Sequence, residues 1–256
     1  MRRYTPAAKR KKIGHITPSS NTVVEPLTNC VTADLDHLVS NHFTRIRVES
    51  ISLDDRHTSQ FTPDHMLAAA EQLADARVDA IVWNGTSGGW NGLEADREIC
   101  ALIEVRTGIV ASTSTLAQFN AMATLGATRY GLATPYTTDV TARVADVYAA
   151  AGIEAVGRSS LGIHVNREFA NVTEVQAREL IRAADHPSAE AILFVCTGVA
   201  AAQLVDEMER ELGKPVIDSL SVVAWEALRM VGIDPVVEGW GRLFTARSAA
   251  AAPGAI

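Results

Sequence analysis

"AIVWNGTSGGW" (80–90) sets the reading of the whole chain. Its first four residues are apolar without interruption, the pattern of a strand buried on both faces, and the loop after them is built from glycine and small hydroxyl residues. "AILFVCTGVA" (191–200) has the same grammar, and aligning Ala80-Ile81 with Ala191-Ile192 sets Gly85 opposite Cys196 and Thr86 opposite Thr197. A second echo runs in parallel. Thr17-Pro18 matches Thr134-Pro135 at a separation of 117 residues, and Gly85 matches Cys196 at 111. Two motifs repeated at nearly one offset indicate an internal duplication, because chance similarity does not keep register.

Working outward, short apolar runs alternate with helical patterns. Strands are expected over 11–17, 42–51, 79–84 and 109–113, with helices over 22–35, 63–78 and 93–108, the last stopping at Gly108. The second half repeats the plan, with strands over 129–135, 154–163, 189–196 and 215–219. Its helices are expected over 137–152, 173–185, 199–213 and 221–232. Such alternation predicts an α/β fold with mostly parallel sheets and helices on both faces. The expected organisation is a basic, disordered tail over 1–12, an N-terminal lobe over 13–120, a C-terminal lobe over 121–246 and a frayed Ala-rich tail over 247–256. The boundary falls near 115–128, and the last helix is free to return to the first lobe.

The chain has 256 residues, 47% of them hydrophobic, enough for a large core. A net charge of −7 argues against a nucleic-acid partner. No stretch reaches the ~18 apolar residues of a membrane span, and the basic N-terminus lacks the apolar run of a signal peptide, so a cytoplasmic protein without a membrane partner is expected. Cys30, Cys100 and Cys196 are odd in number and far apart, and the seven histidines form no HxH or HxxxH pair, so no metal site is expected.

In open parallel sheets ligands bind beyond the carboxyl ends of the strands. Four loops stand there: "TPSSNT" (17–22), "NGTSGG" (84–89), "TPYTTD" (134–139) and "CTG" (196–198). Hydroxyls and free backbone N–H groups at such positions cradle carboxylate oxygens. The competing reading makes the Ser and Thr residues helix caps and the glycines turn formers.

Residues 18–22 ("PSSNT") resemble the opening of maleate isomerases, while "GTS" (85–87), "LATPYTTDV" (132–140) and "GWGRLF" (239–244) resemble arylmalonate decarboxylases. The chain is thus similar, from Ile13 to Phe244, to the aspartate/glutamate racemase superfamily in its maleate isomerase and arylmalonate decarboxylase branch. The resemblance implies two flavodoxin-like lobes with parallel sheets related by a pseudo-twofold axis, an active site between them and no cofactor. It further implies a cysteine from each lobe in the racemases and isomerases, and a glycine in place of the first in the decarboxylase. Gly85 and Cys196 fit the decarboxylase pattern. A two-base racemase needs groups on both faces of the α-carbon, and the family's isomerisation uses the first-lobe thiol as nucleophile, which Gly85 cannot supply. Decarboxylation of a malonate leaves an enediolate that one acid protonates, a task suited to Cys196.

By the same resemblance the enediolate is held by Thr86, Ser87 and Tyr136, with backbone N–H groups of Ser87 and Thr197, and Gly198 beside them. Trp83, Trp90 and Val199 are candidates for the apolar wall facing the leaving carboxylate. Pro18, Ser19, Ser20 and Asn21 stand at the opposite lip, with helix capping as the competing role. Asn21 and Asn166 look like the isomerase's amide clamps on a dicarboxylate, where the decarboxylase has apolar residues, which suggests a substituent more polar than phenyl. The expected activity is decarboxylation of a substituted malonate. The alternatives are a maleate isomerase or racemase acting on a small dicarboxylate, and a non-catalytic carboxylate-binding module. The expected partner is a small carboxylate, bound by a monomer or a homo-oligomer. Gly85 has two readings: its missing Cβ points at the substrate opposite Cys196, or it permits a turn with φ > 0.

Overall fold

The computed structural model of the chain describes residue 6, residues 10–53 and residues 63–245. Most of the expected N-terminal tail and all of the tail over 247–256 lie outside the described residues, while Lys11 and Lys12 already belong to the first strand.

Two four-stranded parallel sheets carry the fold. The first orders β2 (Val39–Ile46), β1 (Lys11–Pro18), β3 (Ala80–Trp83) and β4 (Ala111–Thr113). The second orders β6 (Glu154–Ser160), β5 (Arg129–Thr134), β7 (Ala191–Phe194) and β8 (Val216–Asp218), the same sequence of neighbours. The registers repeat as well. Ile13 pairs with Ala80 and Tyr130 with Ala191, so the offsets of 117 and 111 residues seen in the sequence are those of the two ladders. The chain is an α/β protein of two like sheets related by a pseudo-twofold axis.

The helices are α1 (Val24–Val31), α2 (Pro63–Asp75), the single turn α3 (Gly88–Asn91), α4 (Leu93–Thr107), α5 (Ser114–Leu125), α6 (Thr138–Ala150), α7 (Glu174–Ala184), α8 (Val205–Leu212) and α9 (Ser219–Met230). Their ends follow from local chemistry. α4 stops at Gly108, whose φ of 71° places it in the left-handed region that glycine enters without a Cβ penalty. Thr173 and Gln176 close a reciprocal capping box on α7. The Asp218 carboxylate accepts from the N–H groups of Leu220 and Ser221, which starts α9 two residues before the expected 221.

Two expectations shift. The strand expected over 42–51 runs from Val39 to Ile46, because its neighbour β1 ends at Pro18, opposite Ile46. The chain then crosses to the other lobe, where Ser50 forms an antiparallel bridge with Val165. The helix expected over 199–213 reduces to a 3-10 turn, Ala202–Leu204, followed by α8. The expected boundary region 115–128 holds most of helix α5, capped by the Thr113 hydroxyl on the N–H of Leu116, and the short segment 126–128 that leads to β5.

α5 and α9 occupy matching places after β4 and β8, and they pack on each other. Each also reaches over the other half. Val223, Ala227 and Leu228 of α9 share a core cluster with Ile13 and Val82 of the first sheet. Phe119 of α5 lies 4.8 Å from the ring of Tyr148 on α6. Val223 and Leu228, both buried, each contribute about 1.5–3 kcal/mol of transfer free energy. Among the described residues no helix is long and apolar enough to cross a membrane.

Candidate active site

The carboxyl ends of β1, β3, β5 and β7 converge on a small cavity of ≈ 20 Å³. That is room for about one water molecule, so a substrate enters only where the lining side chains give way. The first half contributes Pro18, Val48, Ile51, Trp83, Gly85, Thr86, Ser87 and Trp90. The second contributes Tyr136, Asn166, Cys196, Thr197 and Gly198.

Cys196 follows β7 by two residues and is buried. Burial is the main influence on its thiol, pushing the pKa up to about 12; the Gly198 N–H and the Tyr136 hydroxyl pull the other way, and the Asp218 carboxylate adds to the rise. The N–H of Gly198 meets Sγ at 3.3 Å. No helix begins directly behind the cysteine, since a turn at 197–198 and irregular backbone to 201 precede the 3-10 segment. At neutral pH this residue is a thiol and carries a proton to give.

Facing it is a set of neutral donors. Thr86 Oγ1 and Tyr136 OH lie 2.7 Å apart, both buried. The phenol is kept neutral, first by burial and then by the neighbouring cysteine. Its ring is held edge-on by Trp90 at 5.6 Å and by Phe169 at 5.4 Å. Ser87 Oγ accepts the indole N–H of Trp83 at 3.1 Å. The backbone N–H groups of Ser87 and Thr197 meet no protein acceptor among the described residues. A carboxylate oxygen entering this corner meets several donors and no fixed negative charge on the lining.

Gly85 is a glycine for a reason that neither sequence reading anticipated. Its φ is not positive. A Cβ built on it does not face open cavity either: it falls 2.2 Å from Cζ2 and 2.3 Å from Cε2 of Trp83. Trp83, read as sheet core or as apolar wall, is both: 2% exposed, and on the cavity surface. Val199, the other wall candidate, is buried but does not line the cavity, and Val48 and Ile51 do so instead.

The lip residues separate. Pro18 and Asn166 line the cavity, while Ser19, Ser20 and Asn21 do not. Asn21 Oδ1 accepts from the N–H groups of Val23 and Val24 at the start of α1, and its Nδ2 lies 3.4 Å from Thr197 Oγ1. Ser19 Oγ accepts from Val48 N, and Ser20 Oγ donates to Val48 O. Their polar atoms thus fasten the segment carrying Val48, the role of caps and struts. Asn166 donates to Ser20 Oγ at 2.7 Å from the opposite lobe. With the Ser50–Val165 bridge, this draws the segment around 48–51 and that around 164–166 together over the site.

Behind the loops are supports that the sequence did not reveal. The N–H of Cys196 donates to Ser219 Oγ at 3.1 Å, that hydroxyl donates to Phe194 O, and Gln118 Nε2 donates to it at 2.7 Å. Tyr148 OH donates in turn to Gln118 Oε1. Thr197 Oγ1 donates to Asn84 O at 2.8 Å, tying the two site loops directly. Asn84 is fixed by His15, whose Nδ1 accepts from Asn84 Nδ2 while Nε2 donates to Asn41 Oδ1. Burial lowers the His15 pKa to about 4, so the ring stays neutral. The one signal for these supports was the recurrence of Thr113-Ser114 as Asp218-Ser219 after matching strands. Among the described residues no three His, Cys, Asp or Glu side chains converge as metal ligands.

Comparison with known proteins agrees with this geometry. The chain is 32% identical over 158 residues to an arylmalonate decarboxylase of Bordetella bronchiseptica, covering 60% of this chain and 66% of that one. It is 23% identical over 254 residues to a maleate isomerase of Geobacillus stearothermophilus, covering 94% and 99%. Among solved structures, a maleate cis-trans isomerase of Nocardia farcinica with a covalently bound succinylcysteine superposes with a TM-score of 0.85 at 22% identity, over 93% of this chain and 99% of that one. A glycine-to-cysteine, cysteine-to-serine double mutant of arylmalonate decarboxylase in its liganded form superposes with a TM-score of 0.80 at 26% identity, over 91% and 98%. The family model described as arylmalonate decarboxylase matches residues 22–244, which take in every strand but β1 and every lining residue of the cavity but Pro18, and the chain therefore belongs to that family.

Proposed function

We propose that the protein decarboxylates a substituted malonate. The observation that carries this reading is a single thiol, kept protonated by burial, in a cavity whose pseudo-symmetric position holds Gly85. In this scheme the retained carboxylate sits among Thr86, Ser87, Tyr136 and the N–H groups of Ser87 and Thr197. The carboxylate that leaves faces Trp83, Trp90, Val48 and Ile51, where desolvation favours neutral CO2 over the charged group. Cleavage of the C–C bond leaves its electron pair as an enediolate whose new charge falls on the donor cluster. Cys196 then passes its proton to the α-carbon from its own side of the cavity, and the thiolate is reprotonated from solvent. Every role named here is filled by a residue of the cavity lining.

A second reading, isomerisation of a small dicarboxylate, draws on Asn166, whose amide stands on the cavity wall, and on the isomerases that match along most of the chain. It must work without a first-lobe thiol. The two are separated by incubating the enzyme with a panel of 2-substituted malonates and with maleate, following CO2 release in one case and loss of maleate ultraviolet absorbance in the other. CO2 release from at least one malonate is expected. Loss of maleate with no CO2 from any malonate would reverse the order, and stabilisation by ligand without turnover of either would mark a binding module.

A further inference from the structure

Trp83 already stands on the apolar wall, and the place of its indole carries a further consequence. Residues 85 and 196 are counterparts in the two halves, two residues beyond the ends of β3 and β7. At 196 the side-chain volume holds a thiol. At 85 the corresponding volume, where a Cβ would begin, lies within 2.2–2.8 Å of Trp83 Cζ2, Cε2 and Nε1. Both residues line the cavity, so the indole fills space that a side chain on the first-lobe loop would otherwise use. Nε1 also donates to Ser87 Oγ at 3.1 Å. An indole N–H can only donate, so the serine oxygen must accept from it, and the serine's own hydrogen is left for another acceptor.

We propose that Trp83 makes the site one-sided. It is the specificity-determining residue that closes the wall opposite Cys196 to bulky substituents, and a positioning residue that fixes Ser87 as a hydrogen-bond donor toward the substrate. The substrate class this selects is a malonate with a small substituent. The claim about substituent size and turnover rests on the decarboxylase reading, while the claim about the occupied volume does not. The glycine and the indole form one unit: neither can be exchanged for a residue that takes the other's space.

The test uses the full chain and two independent readouts. Thermal unfolding is measured for Gly85→Ala, Trp83→Leu and the double variant. Gly85→Ala alone should lower Tm by about 3–8 °C, because the indole must shift from a packed core, whereas in the Trp83→Leu background the same change should cost less than about 2 °C. Equal losses in both backgrounds would overturn the placement of the indole. Turnover of methylmalonate and phenylmalonate is then compared for wild type, Trp83→Phe and Trp83→Leu. Trp83→Phe keeps an aromatic wall but loses the N–H, and should lower kcat on the order of 10-fold with KM within about 2-fold. Trp83→Leu should raise the kcat/KM ratio of phenyl to methyl substrate on the order of 10-fold. An unchanged kcat in Trp83→Phe together with an unchanged ratio in Trp83→Leu would overturn the proposed role. If wild type releases CO2 from no malonate, the decarboxylase reading fails, and the Tm cycle alone decides whether the indole holds its place.

Discussion

At the scale of single residues, Cys196 bears the largest expected effect. Replacing it with Ser exchanges a thiol for a far weaker acid, and turnover should fall at least about 10²-fold with the fold intact, whereas Cys30→Ala on the exposed face of α1 should be silent. Retention of a tenth of the rate by Cys196→Ser, in a steady-state assay, would remove the thiol from the mechanism. The thiol also has a pH signature. Because burial holds its pKa at about 12 and the protonated form is the active one, kcat should not decline through the range near 8.5 where an ordinary thiol titrates. A pH–rate profile with an alkaline limb near 8.5 would contradict that environment. Thr86→Val, which removes a hydroxyl at constant volume, should lower kcat on the order of 10²-fold, and a change confined to KM would mean ground-state binding alone. Much at this scale was legible: Cys196, Thr86, Ser87 and Tyr136 all reach the cavity from positions read in the sequence. Gly85 was legible as a residue type but not in its cause, because a clash with an indole two positions away has no linear signature. Asn21 has the composition of both a clamp and a cap, and only the N–H groups of Val23 and Val24 distinguish the two.

At the scale of elements, the N-terminus of α9 combines a cap with a buried charge. Asp218 Oδ1 accepts two N–H bonds, while Oδ2 is buried with no hydrogen-bond partner. Burial raises this carboxyl from 3.8 to about 7. Between those values the folded state holds a proton that the unfolded state has released, so this group's contribution to stability falls as pH rises through that window. Asp218→Asn keeps the capping oxygen and removes the charge. The Tm difference between variant and wild type should therefore be more favourable to the variant at pH 8 than at pH 5, by several degrees. A constant difference across that range, measured by differential scanning calorimetry, would mean that the carboxyl does not titrate there. Helix α5 was hidden in the sequence for a related reason. "STLAQFNAMATLG" (114–126) buries Ser114, Thr115 and Gln118 beside Ala117, Ala121 and Met122, so its inward face is not the apolar stripe that announces a surface helix. Its cap was visible; its partners, Tyr148 and Ser219, lie in the other half of the chain.

At the scale of the molecule, the halves are not independent. α9 covers part of the first sheet and α5 packs on α6 and α9, so either half taken alone exposes apolar surface that the other buries. A fragment of residues 10–127 and one of residues 128–245 should each show weak near-ultraviolet circular dichroism and bind a hydrophobic dye. Mixed in equal amounts, they should recover a cooperative thermal transition. Cooperative unfolding of either fragment alone would show that the crossed helices are dispensable. The α/β class, the repeat and the strand order were within reach of the sequence because register is written in apolar runs and loop residues. The sequence left open the return of the last helix to the first lobe; the reach of α5 into the other half was not legible, because it joins faces separated by about a hundred positions.

The crossed helices bear on how such a site could arise. Two identical half-length chains assembled in this way would be a domain-swapped homodimer, and symmetry would bind their loops to a common fate: two thiols or none, two indoles or none. The short linker between α5 and β5, residues 126–128, lifts that constraint. Once the copies are covalently joined, one loop can keep its cysteine while its twin gives it up to make room for a tryptophan. Protonation from one side therefore depends on the two halves sharing one chain: a twofold axis would make the two faces of a bound α-carbon equivalent, and covalently joined, unlike loops set them apart.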